Sequence, residues 1–351
     1  ASFFNAALDG ARLIGLIMAR ADFGGASLRG ALFEGNDLSA ADFTGADLVG
    51  ARFDAQGDTS RPSSFRDADL RGVELVDVQW PSGQANPLDM AGADLSGARL
   101  TGGTLVRVDL SNALLRNTYL SGIDLSYANL SDTLFVGGDL DPLSMRGATF
   151  SGAVFDNVIA VNTGVDLRDA YLGETQWRNT TMERSDLTSA SFYRAVIVDG
   201  SFHRADMVDA DMYGVRMVRV NMSGVDLTGA TLRDAQVLDS NFERSFAGPA
   251  RITSMRDADL KGADFGRSDL QYVDFRGADL CRATFEDAFM RNADLTQTCS
   301  LTYQYGSFDG ADLTNTRICT RDQAAFNVRN DYEGTPTWVN CANIGACPRC
   351  P

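Results

Sequence analysis

A large apolar residue returns at every fifth position: Phe3, Leu8, Leu13, Met18, Phe23, Leu28, Phe33, Leu38, Phe43, Leu48 and Phe53 follow one another without a slip. Two residues before each centre sits something small, usually Ala. Asp or Asn often fills the position between, and the two positions after the centre are small, polar or charged, as in Ala21-Asp22-Phe23-Gly24-Gly25. Neither the helical period of 3.6 nor the strand period of 2.0 fits this pattern. It is satisfied if each unit forms one side of a square coil, so that four units return the chain to its starting face about 20 residues later. The small and the large residue then point inward and the other three positions face solvent. Ala at the small position leaves room for the Leu or Phe of neighbouring sides, as an interior packed to crystal density requires.

The pattern resumes after each of several breaks. Centres run through Phe65, Leu70, Leu75 and Trp80, from Met90 to Phe155, from Leu167 to Phe242, from Met255 to Leu295, and end with Phe308, Leu313 and Ile318. The breaks fall near residues 54–64, 81–87, 160–164, 243–254 and 296–307, and read as surface loops or corner bulges. Met207, Met212, Met217 and Met222 are four consecutive centres, so one layer of the core is expected to be methionine on every side, an ordinary gap-filling use of that residue. The whole predicts one all-β solenoid over residues 1–318, of roughly 14 coils and on the order of 65–70 Å long at the spacing of paired strands. An array of this kind grows in one dimension and needs no second core.

These units resemble the pentapeptide-repeat family over residues 1 to about 318. The resemblance implies a right-handed quadrilateral β-helix. Two branches of the family bear on function. The thylakoid-lumen members end in short helices held by a disulfide, and the cysteine-rich tail is similar to theirs. The gyrase-protecting members have acidic faces that imitate duplex DNA and compete with it for type II topoisomerase; those relatives pair through a helix at the carboxyl end.

The tail, residues 319–351, leaves the pattern. Thr320-Arg321-Asp322-Gln323 has the Thr-x-x-Gln spacing of a capping box, which predicts a short helix to about Arg329, with Phe326, Val328, Trp338 and Val339 covering the end of the column. All six cysteines lie in the last fifth of the chain: Cys281, Cys299, Cys319, Cys341, Cys347 and Cys350. An even, clustered set suggests bridges, and Cys299 and Cys319 stand one coil apart. The alternatives are a zinc site using Cys341, Cys347, Cys350 and one further thiolate, or free thiols. Disulfides persist outside the reducing cytosol, and the chain begins at Ala1, as after a peptidase cut. An exported or organelle-lumen location is therefore expected, the thylakoid lumen favoured, with the cytoplasm as the alternative.

The formal net charge is −16, and Lys261 is the only lysine. This balance argues against direct nucleic-acid binding. Asp often precedes the centre (Asp22, Asp42, Asp94, Asp109) and Arg often follows it (Arg29, Arg71, Arg116, Arg276), so ladders of opposite charge are expected along the faces. The only histidine, His203, follows centre Phe202 and is expected to face water, which leaves no histidine triad or multi-histidine metal site. No run of apolar residues is long enough to cross a membrane. A filled column offers no pocket, so no enzyme activity, cofactor or metal is expected. What remains is a rigid binding or scaffolding rod, a lumenal or exported subunit of a larger protein assembly, with a protein partner or a membrane-associated multi-subunit complex expected; the alternative is an acidic DNA mimic that binds a type II topoisomerase. Candidate partner contacts are the open first coil, through Phe3, Phe4 and Leu8, and the loops on the rigid scaffold, through Arg61, Pro62, Trp80, Pro81 and Pro87.

Overall fold

In the computed structural model the amide of Phe3 donates to the carbonyl of Asp22, that of Leu8 to Ser27, that of Gly15 to Glu34 and that of Met18 to Asp37, at 2.6–2.9 Å. Each of these links joins a residue to one 19 positions on, so four five-residue units close a coil and successive coils pair in parallel. The structure describes residues 1–54, 63–80, 87–140, 143–160, 164–243, 252–298, 308–319 and 332–339; of Cys319, Trp338 and Val339 it describes the backbone alone. The chain is an all-β parallel solenoid, and among the described residues there is no helix. The expected helix after Thr320 lies outside them.

Two units are distinguished, Ala1–Thr175 and Gln176–Pro351. In the first, one side of the coil is a ladder of short strands, Arg12–Ile14, Leu32–Glu34, Arg52–Asp54, Glu74–Val76, Arg99–Thr101, Tyr119–Ser121, Asp139–Leu140 and Ile159–Ala160, each paired in parallel with the next. In the second, Gln176–Arg178, Val196–Val198, Arg216–Val218 and Gln236–Leu238 form such a ladder. The other sides are carried largely by single bridges such as Asp22 to Asp42 and Asp206 to Asp226.

The breaks in the pattern are insertions between rungs. After the first, Asp42 pairs with Ser64; after the second, Ser64 pairs with Asp89; after the fourth, Asp226 pairs with Ser254; after the fifth, Asp294 pairs with Arg317. The extra residues lengthen the path of one coil, and the column closes over them in register. At the third break, Ala160 is buried as the inward residue of a strand opposite Asp139–Leu140. It belongs to the column and not to the bulge in which the spacing put it. At the carboxyl end, Glu333 pairs with Asp312, and Thr337–Val339 pairs with Arg317–Cys319, so tail residues continue the ladder past Ile318.

The core holds what the period assigns to it. In the first unit Phe3, Phe23, Phe43 and Phe65 stack face to face on one side, 4.7–4.8 Å between ring centres, and Phe33 meets Phe53 at 4.5 Å; rings on adjacent sides meet edge to face. Each fully buried ring of this kind contributes roughly 1.5–3 kcal/mol before entropy. In the second unit the four methionines 207, 212, 217 and 222 are all 0 % exposed. The small inner position also admits hydroxyl and amide side chains, which the pattern alone does not anticipate. Thr118 donates to Leu95 O, Thr133 to Leu110 O, Ser268 to Val237 O and Thr316 to Met290 O, at 2.7–3.0 Å. Buried hydroxyls are tolerated because a backbone carbonyl lies within reach, from the preceding coil at these four positions and from the same coil at Thr175 and Thr298.

Corners are made two residues after each centre, where the backbone turns left-handed. Glycine takes many of these positions without cost. Asp, Asn and Arg take others, for example Asp67 at φ 54°, Asp77 at 48° and Arg219 at 54°. A second rule links successive corners: the carboxylate of Asp67 leans over Gly92, that of Asp77 over Gly102, that of Asp209 over Gly229 and that of Asp257 over Gly277, each so close that a methyl group on the glycine would collide with it.

Candidate functional site

The function of such a fold rests on what its outward positions present. The Asp before each centre first serves its own turn: Asp22 Oδ1 accepts from Gly24 N at 3.0 Å, Asp94 from Ser96 N at 3.0 Å and Asp274 from Arg276 N at 3.1 Å. This Asx turn explains why Asp recurs there. Several of these carboxylates also meet arginine. Arg71 grips Asp69 with two nitrogens at 2.6–2.7 Å, Arg168 grips Asp166 at 2.6–2.8 Å, and Arg276 grips Asp274 at 2.5–2.8 Å. At one corner of the second unit, Asp199 and Arg219 pair at 2.6–2.8 Å, and Asp239 and Arg267 at 2.7–3.2 Å.

The charges respond accordingly. Hydrogen bonds from Arg219 and Arg267 hold Asp199 and Asp239 below the ordinary carboxylate value, and the same bonds raise the two guanidinium groups. For Asp274, burial pushes the carboxyl up, but the bonds from Arg276 and the charges of Arg276 and Arg256 outweigh it and the net direction is down. Lys261 sits between Asp259 at 3.1 Å and Asp279 at 3.0 Å; burial opposes its charge, and the two carboxylates more than compensate. The expected ladders of opposite charge are thus present as specific pairs.

The candidate contact residues separate into three groups. Phe3 and Leu8 are half-buried, whereas Phe4 is 63 % exposed and lies over Gly24. In the same first coil Ile17 is 87 % exposed, and Ile14 and Leu16 are also exposed. These three were missed in the sequence; their signal was an apolar residue where the repeat elsewhere places Ala, Asp or Ser. Pro87 is exposed, while Arg61, Pro62 and Pro81 lie outside the described residues. Trp80 takes its place as a core centre and is 1 % exposed, packed against Phe53 and Phe65 at 5.9 and 5.4 Å between rings. It therefore offers no surface to a partner. The reason is that its indole fills an inward position of the layer, with Nε1 left without a hydrogen-bond partner.

Of the cysteines, Cys281 is buried and disulfide-bonded; the side chains of Cys299, Cys319, Cys341, Cys347 and Cys350 lie outside those described. Among the described residues no group of His, Cys, Asp and Glu is arranged to hold a metal ion, and no helix is long and apolar enough to cross a membrane. His203 departs from expectation: it is half-buried, with Nδ1 2.8 Å from Ser223 Oγ, and Ser223 in turn donates to Asn221 Oδ1 at 2.7 Å. Since that hydroxyl proton is committed to Asn221, Nδ1 is the donor. The histidine is one link in a row of polar side chains stacked coil on coil.

The sequence model of the pentapeptide repeats matches residues 17–54, 104–141, 166–199, 201–234 and 258–297 in eight copies, just over half of the chain. The chain belongs to the pentapeptide-repeat family, whose members are generally structural or binding proteins. Solved structures with a similar fold include HetL, a pentapeptide repeat protein involved in heterocyst differentiation regulation from the cyanobacterium Nostoc sp. strain PCC 7120. It is 24% identical, over 64% of this chain and 88% of that one, with a TM-score of 0.30. The plasmid-mediated fluoroquinolone resistance protein QnrB1 is 14% identical over 76% of this chain and 92% of its own, with a TM-score of 0.22. A pentapeptide repeat protein from the Arabidopsis thaliana thylakoid lumen is 20% identical over 44% and 71%, with a TM-score of 0.11. A sequence search of curated proteins found no match.

Proposed function

We propose that this protein is a non-catalytic, rigid binding or scaffolding element, a lumenal or exported subunit of a larger protein assembly. The observation that carries this reading is the division of labour within the repeat. Inward positions are filled by closely packed apolar side chains, and outward polar groups are spent on turns, ion pairs and hydrogen bonds to their neighbours. Such a surface offers a stiff, regular pattern for protein contact. The clustered cysteines, with Cys281 bridged, favour an oxidising compartment, the thylakoid lumen first among them. Contact specificity is assigned to the apolar residues of the first coil, Phe4, Ile14 and Ile17, and to the loops at 54–64 and 81–87.

The second reading, an acidic mimic of DNA, draws on the negative balance of the chain. It is less favoured because arginines interleave with the aspartates and neutralise them in pairs, where a mimic of duplex DNA needs open rows of negative charge. Purification of the native protein under mild conditions, followed by identification of its companions, decides the matter. A stoichiometric protein partner, lost when residues 55–62 and 81–86 are replaced by regular repeats, is the expected result. Recovery of the chain alone, together with inhibition of a type II topoisomerase by the pure protein, would replace this reading with the second.

A further inference from the structure

We propose that the side of the first unit which turns Thr104, Asp124 and Ser144 outward is its partner-binding side, and that it takes a protein segment offering one carboxylate and one apolar side chain. This rests on the binding-scaffold reading and specifies the side on which the partner is held. The breaks in the repeat are not spread round the coil. The first lies between strand Arg52–Asp54 and Ser64, the second between Gln79 and Asp89, and the third between Ile159–Ala160 and Val165–Asp166. The second and third each open at one end of a rung in the row Gln79, Thr104, Asp124, Ser144 and Asp166, and the first takes the place of that row between Asp37 and Gln79. The other two corners of the unit are passed at an even step of five in every coil, as from Phe65 to Leu70 to Leu75. The second unit, taken by itself, follows the same rule: the fourth break enters the row Asp226, Ser254, Asp274 and Asp294, and the fifth leaves it. Indifferent lengthening would fall on every corner, whereas insertions kept to one face of a solenoid are a common mark of its binding face.

The row also shows what fits it. The coils of Gln79 and Asp166 are four steps of about 4.8 Å apart, roughly 19 Å, and between them the outward side chains Thr104, Val106, Asp124, Ser126 and Ser144 are short, while Arg146 is turned to Asp169 at 3.1 Å. A helix, about 10–12 Å across with its side chains, can lie on this floor. At its edge Arg107 and Tyr127 hold successive corners. The Arg107 guanidinium stands 5.4 Å from the centre of the Tyr127 ring, which is 51 % exposed and lies over Gly147, so close that a methyl group there would collide with it. Tyr127 has φ 61°, a left-handed conformation that Gly, Asn and Asp take readily and a bulky side chain does not. Strain held at an exposed residue points to use and not to packing. Arg107 has no ion-pair partner among the described residues, in a chain of net charge −16. Arginine beside an exposed aromatic ring is the usual make-up of an interface anchor: the guanidinium takes a carboxylate and the ring an apolar side chain. A nucleic-acid strand would reach Arg107 with a phosphate but bring its further charges against Asp124 and the negative balance of the chain.

The probe is the protein that copurifies in stoichiometric amount with the native full chain. Asparagine accepts a left-handed corner, so Arg107→Asn and Tyr127→Asn keep the fold, and each should weaken the affinity for that protein roughly tenfold or more. Arg107→Lys keeps the charge but loses the planar fork, and should fall between. Tyr127→Asn should melt at or above the temperature of the parent, because the corner is relieved. Arg116→Ser, on a side that no break borders, should leave the affinity unchanged. A photo-crosslinking amino acid in place of the outward Val106 should capture the same protein, and one in place of the outward Leu134, on the side of Arg116, should not.

Unchanged affinity in both asparagine variants, an equal loss in Arg116→Ser, capture from position 134 and not from 106, or a Tyr127→Asn chain that melts well below the parent would overturn the proposal and leave the scaffolding reading standing. A native chain recovered without any protein companion would overturn both.

Discussion

At the scale of the residue, Gly92 and Gly97 show how much of this fold depends on what lies one coil away. Both occupy corners at φ 70°, so alanine at either bears the left-handed cost of roughly 1–2 kcal/mol. A methyl group at Gly97 meets nothing within 4 Å, whereas one at Gly92 collides with the carboxylate of Asp67. Gly92→Ala should therefore lower the denaturation midpoint more than Gly97→Ala, and Asp67→Ala should remove most of the difference. Equal losses for the two alanine variants would mean that the carboxylate moves aside without cost. The same comparison explains a limit of sequence reading. The corner position was legible from the period, but which corners demand glycine depends on the residue about 20–25 positions earlier, and a five-residue pattern carries no record of that neighbour.

At the scale of the element, the inward side of a coil accepts shape changes and rejects charge. Leu110→Met should cost less than about 1.5 kcal/mol, since volume is conserved. Leu110→Asp places a carboxylate in a layer sealed from water and should lower the melting temperature severely or abolish folding. Thermal denaturation of the two variants checks this, and an aspartate variant melting with the parent would refute the sealed layer. Nearly all inward centres were readable, because alternation of apolar and polar types at fixed spacing is a direct consequence of burial. Three features were not. Ala160 reads as part of a bulge because a single small residue does not announce itself as a centre. Trp80 reads as a contact residue as well as a core residue because its neighbours in sequence are loop residues. The apolar outward residues Ile14 and Ile17 were passed over because the period directs attention to the inward positions. The paired aspartates and arginines were anticipated, but not the turn-capping role that explains why Asp precedes so many centres.

At the scale of the molecule, the ion pairs set the response to acid. Asp274 has a folded-state pKa below its unfolded value, so its stabilising contribution is complete at neutral pH and is lost as pH falls below about 4, the ordinary carboxylate range, through the lowered folded value. Arg276→Gln removes the main source of that lowering. The variant should be less stable than the parent at pH 7, by about 1 kcal/mol or less because the pair is partly open to solvent, and the gap should close as pH falls below 4. Denaturant titrations at the two pH values measure it. A gap that widens in acid would contradict the assignment. Asp69, Asp166, Asp199, Asp239 and Asp312 shift in the same direction, so the protein as a whole should lose stability over this window more steeply than any single pair accounts for.

The buried tryptophans have an optical consequence. Trp80 lies in the first unit and Trp177 in the second, each sealed among aromatic rings. Each unit therefore carries an intrinsic fluorophore in a dry setting, whose emission moves to longer wavelength when its coil opens. Removing one by Trp80→Phe or Trp177→Phe leaves the other as a local reporter against the background of Trp338. Two melting curves, one from each variant, then read whether loosening begins in one stretch of coils and spreads or takes both stretches at once, without a label attached to the protein.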